Sequence, residues 1–328
     1  MKKTAHILKQ RESPSLLSIV IPFYNEQEVL PLLRKELNSF FETLPCPAEV
    51  ICVNDGSHDE TLFLLDEWAR HDNRIRLLSF ARNFGHQTAV TAGLDVVKGD
   101  AVVIMDADLQ DPPRVVIEML RKYSEGFDVV YGLREERAGE SSFKKASAWI
   151  FYRLMKKLVH PDLPVDAGDF RLISRECLKS LQDMRETHRF LRGMVAWVGY
   201  AQTAVPYKRD ARAAGETKYP LRKMLKFAWT ATLSFSPLPL RISLMLGVAT
   251  AFLGFGVGLY ALVVGFIHFF MADVGIPYNS GWASIMTVLC LVGGFILIGI
   301  GILGEYVARI YDEIKDRPLY LVNYRRNL

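Results

Sequence analysis

Cysteine is scarce in this chain, and basic residues only slightly outnumber acidic ones. Four cysteines occur among 328 residues, and Cys46, Cys52, Cys177 and Cys290 show no spacing typical of metal ligands. We therefore expect reduced cysteines that serve in packing. The formal net charge is only +4, and no basic motif with interleaved aromatic residues is present. A nucleic-acid-binding function is accordingly not expected.

Lysine and arginine are missing from two long apolar stretches near the C-terminal end. Residues 242–271 and 283–307 each exceed the roughly 20 apolar residues needed to cross about 30 Å of hydrocarbon. Buried helices of a soluble core rarely run so long without a polar face. The sequence therefore predicts two transmembrane helices, within a membrane domain of residues 241–310.

The loop between these stretches, residues 272–282, also lacks lysine and arginine, whereas both outer flanks are basic. The flanking basic residues are Lys218, Arg222, Lys223, Lys226 and Arg241 before the first stretch, and Arg309, Lys315 and Arg317 after the second. Because basic residues accumulate on the cytoplasmic side of membrane spans, we expect both termini and the large N-terminal domain to lie in the cytoplasm.

Composition divides the rest of the chain into further segments. Residues 1–16 form a basic arm without the apolar core of a signal peptide or membrane anchor. Residues 17–217 form the expected cytoplasmic domain, and residues 311–328 form a cytoplasmic tail. In residues 218–240, apolar residues at helical spacing alternate with basic ones, which is typical of an amphipathic helix at the membrane interface.

Short apolar runs alternate with helix-period segments through the first half of the chain. The runs predict strands at residues 17–22, 50–53, 75–79, 101–105 and 129–132. The segments between them predict helices at residues 26–44, 61–71 and 87–97 and from Arg114 onward. This alternation predicts an α/β fold, with a mostly parallel sheet covered by helices on both faces.

Polar clusters follow three of the predicted strands. They are Tyr24-Asn25-Glu26, Asn54-Asp55-Gly56-Ser57 and Asp106-Ala107-Asp108. Residues two apart on an extended chain point to the same side, so Asp106 and Asp108 can converge on one cation that holds a diphosphate. Such sequences also form ordinary turns and helix caps. Parallel sheets bind ligands beyond the carboxyl ends of their strands, so the clustering at successive ends favours a site.

A series of motifs in fixed order precedes the two apolar stretches. They are Pro22-Phe23-Tyr24-Asn25-Glu26, Val53-Asn54-Asp55-Gly56-Ser57, Arg82-Asn83-Phe84-Gly85, Asp106-Ala107-Asp108-Leu109-Gln110-Asp111-Pro112-Pro113, Gly168-Asp169-Phe170-Arg171-Leu172, Arg189-Phe190-Leu191-Arg192-Gly193 and Gly215-Glu216-Thr217-Lys218-Tyr219. With the two predicted spans, this set resembles the inverting nucleotide-sugar glycosyltransferases of GT-A fold. Within them it resembles the polyprenyl-phosphate sugar synthases, which include bactoprenol glucosyltransferases and, more distantly, dolichol-phosphate mannose synthases.

The resemblance implies a donor site with a Rossmann-like GT-A sheet beneath it. The implied donor-binding residues are Pro22, Tyr24, Glu26, Asp55, Asn83, Gly85 and Gln110. Asp55 would meet the uracil edge, and Asp106 would contact the nucleotide sugar. Asp108 would hold the divalent cofactor, Mg²⁺ or Mn²⁺, which neutralises the departing diphosphate.

The resemblance implies three catalytic residues, Asp106, Asp108 and Asp169. The role of Asp169 stays open between a base and a positioning group. A lipid phosphate has a second pKa of about 6 and is largely ionised at neutral pH, so it hardly needs a base. A structural pair with Arg171 is a further alternative. Cations near the acceptor phosphate are expected among Arg134, Arg212 and Lys218.

The implied function is transfer of one sugar, with inversion, to undecaprenyl or another polyprenyl phosphate at a bacterial-type inner (plasma) membrane. The resemblance favours UDP-glucose as the donor. Glycines within the spans favour helix packing and a homo-oligomer. One alternative is a processive polysaccharide synthase, although residues 189–192 depart from its Gln-x-x-Arg-Trp motif and Trp197 is displaced. Another is a membrane scaffold with a degenerate transferase domain, for which Ala213 is the visible departure.

Overall fold

The computed structural model describes residues 8–134, 167–208, 232–233, 236–270 and 282–328. The chain divides into two compact units. The larger comprises Met1–Ala231 together with Arg317–Leu328, and the smaller comprises Thr232–Asp316. Of the predicted interfacial segment, residues 218–240, the structure describes only 232–233 and 236–240.

The larger unit is an α/β structure. Its strands are β1 (Leu17–Phe23), β2 (Ala48–Asn54), β3 (Ile75–Phe80), β4 (Ala101–Ile104), β5 (Val129–Arg134), β6 (Ala167–Ser174), β7 (Gln202–Tyr207) and β8 (Val322–Arg326). Its helices are α1 (Leu30–Phe41), α2 (Thr61–His71), α3 (His86–Val96), α4 (Val115–Ser124), α5 (Arg175–Asp183) and α6 (Leu191–Val198).

The strands form one mixed sheet in the order β7-β5-β6-β4-β1-β2-β3-β8. Strand β1 runs parallel to both β2 and β4, and β2 runs parallel to β3. Strand β6 is antiparallel to its neighbours β4 and β5, and β8 is antiparallel to β3. The predicted, mostly parallel α/β sheet is therefore confirmed.

Strand β1 is buried on both of its faces. Ile19 and Ile21 belong to a core cluster that includes buried residues of α1, α2 and α4. Val20 points to the opposite face, where Gly93 of α3 approaches it so closely that a Cβ on Gly93 would clash with the valine side chain. This two-sided packing explains why β1 is a continuous apolar run rather than an alternating one.

The boundaries of most predicted elements agree with the structure, and α2 matches its prediction of residues 61–71. Helix α1 differs, because it begins at Leu30 rather than at Glu26. The backbone N–H groups of Asn25 and Glu26 donate to the hydroxyls of Ser57 and Thr61, at 3.0 and 2.9 Å. These bonds join residues 25 and 26 to the loop after β2 and to the first residue of α2, so α1 begins later.

Strand β8 was not anticipated from the sequence. Its residues alternate between half-buried and exposed, a pattern too short and too polar to stand out. The strand is held at its end by Asn327, whose side-chain amide donates to the carbonyls of Ala69 and Ile75 at 2.7 and 2.8 Å. Asp66 of α2 also accepts hydrogen bonds from Tyr324 and Arg326. Residues 317–328, here called the C-terminal segment, therefore complete the edge of the sheet.

The smaller unit contains two long helices, α7 (Leu238–Phe270) and α8 (Trp282–Ile314). Leu238–Tyr260 and Val288–Ile314 are long and apolar enough to cross a membrane, with mean hydropathies of 2.0 and 2.3. The predicted pair of apolar helices is thus present, and α8 continues beyond residue 307. A Cβ on Gly299 would lie 2.8 Å from the Ser243 hydroxyl, so a small residue permits this close approach.

Candidate active site

The loops after β1 and β2 meet at the carboxyl edge of the sheet. Besides the bonds to Ser57 and Thr61, the side chain of Asn25 accepts a hydrogen bond from His58 N–H at 2.9 Å. Tyr24 is partly exposed, and its ring lies edge-on to His58 with centroids 6.5 Å apart. The polar clusters after β1 and β2 therefore lie against each other, as the sequence predicts.

Asp55 anchors the β3–α3 loop, residues 81–85. Its buried carboxylate accepts hydrogen bonds from the backbone N–H groups of Phe84, at 2.7 Å, and Gly85, at 3.0 Å. Burial raises the pKa of Asp55, and these two amides and His86 oppose the rise. Gly56 has a φ of +66°, and a Cβ there would lie 2.6 Å from Asn83 N, so glycine lets the two loops touch.

Asp106 pairs with a histidine at the start of α3. His86 Nε2 lies 3.0 Å from Asp106 Oδ1. Burial opposes the imidazolium, but Asp106 and Asp169 together raise the pKa of His86 to about 9. Although burial would raise the pKa of Asp106, the pairing with His86 holds it below its usual range. The pair is therefore ionic at neutral pH.

Asp169, near the start of β6, forms an ion pair with Arg192 from the first turn of α6. Arg192 Nε lies 2.7 Å from Asp169 Oδ1 and Arg192 Nη2 lies 3.2 Å from Oδ2. Burial disfavours the carboxylate, but Arg192, His86 and Arg171 together hold the pKa of Asp169 well below its usual range. A carboxylate held in this way is a poor acceptor of protons.

The Asp169 carboxylate is hydrogen-bonded to Arg192 and not to Arg171, the partner that the alternative prediction names. Arg171 instead donates to the backbone carbonyls of Gly168, at 2.9 Å, and Asp169, at 3.3 Å. Burial lowers the pKa of this guanidinium to about 10. Arg171 thus holds the backbone at the start of β6, while Arg192 pairs with the Asp169 carboxylate.

Gln87 connects these groups. Its side-chain amide donates to Asp169 Oδ2 at 3.4 Å, and its carbonyl oxygen accepts a hydrogen bond from Leu191 N–H at 3.0 Å. The second bond satisfies a backbone donor at the start of α6, where helices leave such groups without intrahelical partners. Gln87 Nε2 also lies 3.5 Å from Nδ1 of His86, the partner of Asp106, so the carboxylates of Asp106 and Asp169 belong to one network.

A scan against protein-family models matches residues 18–182 to the family described as glycosyl transferase family 2. The chain belongs to glycosyl transferase family 2.

Relatives of this glycosyltransferase extend over nearly its whole length. It is 44% identical to the uncharacterized glycosyltransferase YkcC of Bacillus subtilis, over 93% of this chain and 92% of the relative. It is 37% identical to the bactoprenol glucosyl transferase of Shigella phage SfX, over 94% and 99% of the two chains. A prophage bactoprenol glucosyl transferase homolog of Escherichia coli is also 37% identical, over 93% and 98%. The family resemblance predicted from the motifs is confirmed.

Among solved structures, the glycosyltransferase is similar to glucosyl-3-phosphoglycerate synthase from Mycobacterium tuberculosis, solved with Mn²⁺, uridine diphosphate and phosphoglyceric acid. The TM-score is 0.49 at 18% identity, over 67% of this chain and 76% of that one. Family membership and the mixed sheet together agree with the GT-A-type α/β fold that the motifs predict.

The predicted donor residues of the glycosyltransferase lie at or just beyond strand ends. Pro22 is buried within β1, Glu26 and Gln110 are half-buried, and Asn83 is exposed. Asp108 is half-buried in the loop after β4, and its carboxylate accepts a hydrogen bond from Gln110 N–H at 3.2 Å. In the described parts of the chain, no three His, Cys, Asp or Glu side chains cluster as metal ligands.

Of the three predicted acceptor cations, only Arg134 is described. Burial opposes its charge, but Tyr207 and Asp111 raise the pKa of Arg134. A Cβ on Gly168 would lie 2.6 Å from Arg134 Nη2, which places this guanidinium beside the start of β6, next to Asp169. Arg212 and Lys218 lie outside the described residues, as does Ala213.

Sequence reasoning missed two charged groups of this network. His86 directly follows the 82–85 motif, and this adjacency was the feature of the sequence that could have identified it as a site residue. Arg192 lies inside the quoted 189–193 motif, but only its pairing with Asp169 at 2.7 Å shows what it contacts.

Proposed function

We propose that this glycosyltransferase transfers one glucose from UDP-glucose to undecaprenyl phosphate, releasing UDP. The observation that carries the proposal is the network in which Asp106 and Asp169 are both held as carboxylates by cationic partners. The network lies at the carboxyl edge of the sheet, where folds of this kind bind ligands, and its charged groups suit a departing diphosphate and an attacking oxygen. The names of the bactoprenol glucosyl transferase relatives support a polyprenyl acceptor.

A divalent metal fits the residues at the end of β4. Asp108 offers a partly exposed carboxylate, the ligand type that Mg²⁺ and Mn²⁺ prefer. Because a magnesium ion usually keeps water and takes phosphate oxygens, one or two carboxylates suffice for such a site. When bound, the metal would neutralise charge on the leaving diphosphate. Asp108 would hold it, while Asp106 and His86 would orient the donor beside it.

Asp169 acts in this proposal as a positioning group and not as a base. Its lowered pKa makes it a weak proton acceptor, and the acceptor phosphate is already largely ionised at neutral pH. Asp169 holds the planar guanidinium group of Arg192 in one orientation, and a guanidinium group is well suited to bind phosphate oxygens. Arg134 lies beside the start of β6, next to Asp169. These two guanidinium groups would orient the phosphate for a single inverting displacement at the sugar carbon.

Chain connectivity supports a location of both termini on one membrane face. The C-terminal segment follows α8 and supplies β8 to the same sheet as the N-terminal strands. An even number of crossings returns the chain to the face that it left. Two spans satisfy this condition, and basic flanks favour the cytoplasmic face.

Lipid-linked product formation tests the proposal. Purified full-length protein is incubated with radiolabelled UDP-glucose, undecaprenyl phosphate and MnCl₂, and the lipids are extracted and separated. A lipid carrying one glucose is expected. A polymer would support a processive synthase instead, and no transfer to lipid from any nucleotide sugar would support a scaffold.

Paired variants make the same assay specific for the site. Asp106→Asn should abolish most transfer, because it removes the carboxylate that pairs with His86. Asp100→Asn is the matched control, since Asp100 precedes β4 at its opposite end and bonds Ser15 N–H at 3.0 Å. Equal losses in both variants would contradict a site at the carboxyl edge.

A further inference from the structure

The C-terminal segment reaches the base of the β3–α3 loop. Strand β8 pairs with β3, and the pairing continues beyond the strand, where Ala81 N–H donates to Leu321 O at 3.0 Å. Ala81 is the first residue of the loop that Asp55 anchors through Phe84 and Gly85. A segment that follows the last apolar helix thus contacts a loop of the predicted nucleotide pocket.

Tyr320 is linked to Asp55 by two ring contacts and one hydrogen bond. Its ring stacks on Phe80, with centroids 5.2 Å apart and planes inclined by 20°. Phe80 in turn meets Phe84 edge to face, with centroids 5.5 Å apart. The backbone N–H of Phe84 donates to Asp55 at 2.7 Å. Since Phe80 lies between the two other rings, loss of the Tyr320 ring would loosen its packing against Phe84.

The hydroxyl of Tyr320 fixes its ring from the other end. It donates to Asp95 Oδ2 at 2.8 Å, and Asp95 also pairs with Arg185 at 2.8 Å. Burial and Asp95 raise the pKa of Tyr320 to about 12, so the hydroxyl remains a donor at neutral pH. Asp95 lies near the end of α3, the helix that begins with His86. Tyr320 therefore braces both the loop and the helix that follows it.

We propose that Tyr320 is a positioning residue for nucleotide binding, which holds the β3–α3 loop so that Phe84 and Gly85 present their amides to Asp55. The identity of the ligand rests on the proposed function, whereas the loop contacts do not. The C-terminal segment is accordingly part of the donor site, although it is separated in sequence from the other donor residues by both apolar helices.

The test compares UDP binding by Tyr320→Leu, Tyr320→Phe and wild-type full-length protein, measured by calorimetry with MnCl₂. Loss of one aromatic contact predicts a Kd for UDP about three- to tenfold higher in Tyr320→Leu. Tyr320→Phe retains the ring and should recover most of this affinity. Tyr324→Leu is the matched control, because Tyr324 lies on β8 but bonds Asp66; its Kd should stay within about twofold of wild type.

Amide hydrogen exchange at Phe84 and Gly85 gives a readout that needs no ligand. Tyr320→Leu should accelerate exchange at these amides, while Tyr324→Leu should not. Unchanged exchange and unchanged UDP affinity in a folded Tyr320→Leu protein would overturn the proposal. If wild-type protein binds no UDP, the proposed function fails, and faster exchange in Tyr320→Leu alone would still support the positioning role in the loop.

Discussion

Arg192 donates hydrogen bonds to both carboxylate oxygens of Asp169, with Nε 2.7 Å from Oδ1 and Nη2 3.2 Å from Oδ2. The two residues come from different elements, β6 and α6. Fork-shaped pairing of this kind fixes direction as well as charge. It ties strand β6, which carries Asp169, to the 189–193 motif at the start of α6.

Asp169→Asn should lower turnover about 100-fold, because loss of the ion pair displaces Arg192 from its fixed orientation. The fold loss should be the same at each pH between about 6 and 9, since the wild-type carboxylate is ionised throughout this range. Initial rates of lipid glucosylation across this range check it. A loss that grows or shrinks with pH would indicate base catalysis instead.

Arg192→Lys is the companion to that variant. Lysine keeps the charge but cannot form the planar fork. We expect a smaller loss of turnover than in Asp169→Asn, with an increased KM for the lipid phosphate. An unchanged KM for the lipid would show that Arg192 does not orient the acceptor.

His86 should stabilise the fold in a pH-dependent way. Its pKa is about 9 in the folded protein and 6.5 in the reference state. A raised folded pKa means that the contribution is fully present below pH 6.5 and is lost as pH rises through 9. The melting temperature of metal-free wild-type protein should therefore exceed that of His86→Gln most at low pH. His71→Gln, a substitution on the exposed end of α2, serves as the control; a difference independent of pH would contradict the pairing.

Gly168→Ala should reduce turnover by displacing Arg134. The new Cβ would lie 2.6 Å from Arg134 Nη2, so the guanidinium must move. In an Arg134→Ala background the same substitution should have little further effect, because the two changes share one cause. Steady-state rates of the two single variants and the double variant form the cycle. Additive losses would place the effect of Gly168→Ala elsewhere.

Removal of divalent metal should abolish transfer, and Mn²⁺ or Mg²⁺ should restore it. Asp108→Asn should raise the metal concentration needed for half-maximal activity, because an amide binds hard cations less strongly than a carboxylate. Titration of activity with MnCl₂ after treatment with a chelator measures this. Full activity in metal-free buffer would contradict the assigned role of Asp108.

The two long apolar helices and the core strands could be predicted because their signals are local. Runs such as Leu17–Phe23 are apolar because both faces of a central strand are buried. The position of Asp55, Asp106 and Asp108 after strands also followed from local patterning. The start of α1 could not be predicted, because it depends on hydrogen bonds from the backbone N–H groups of residues 25 and 26 to the distant hydroxyls of Ser57 and Thr61.

Local patterns of residues were enough to predict the α/β class, the two apolar helices and the membership of the chain among glycosyltransferases. The charge pairs, His86 with Asp106 and Arg192 with Asp169, depend on the folded arrangement. The folded arrangement also decided that β8 pairs with β3, some 250 positions earlier in the chain, as the partnership of Arg326 with Leu77 shows. Periodicity reports the environment of a single element, whereas these partnerships depend on how the whole sheet brings distant elements to one edge.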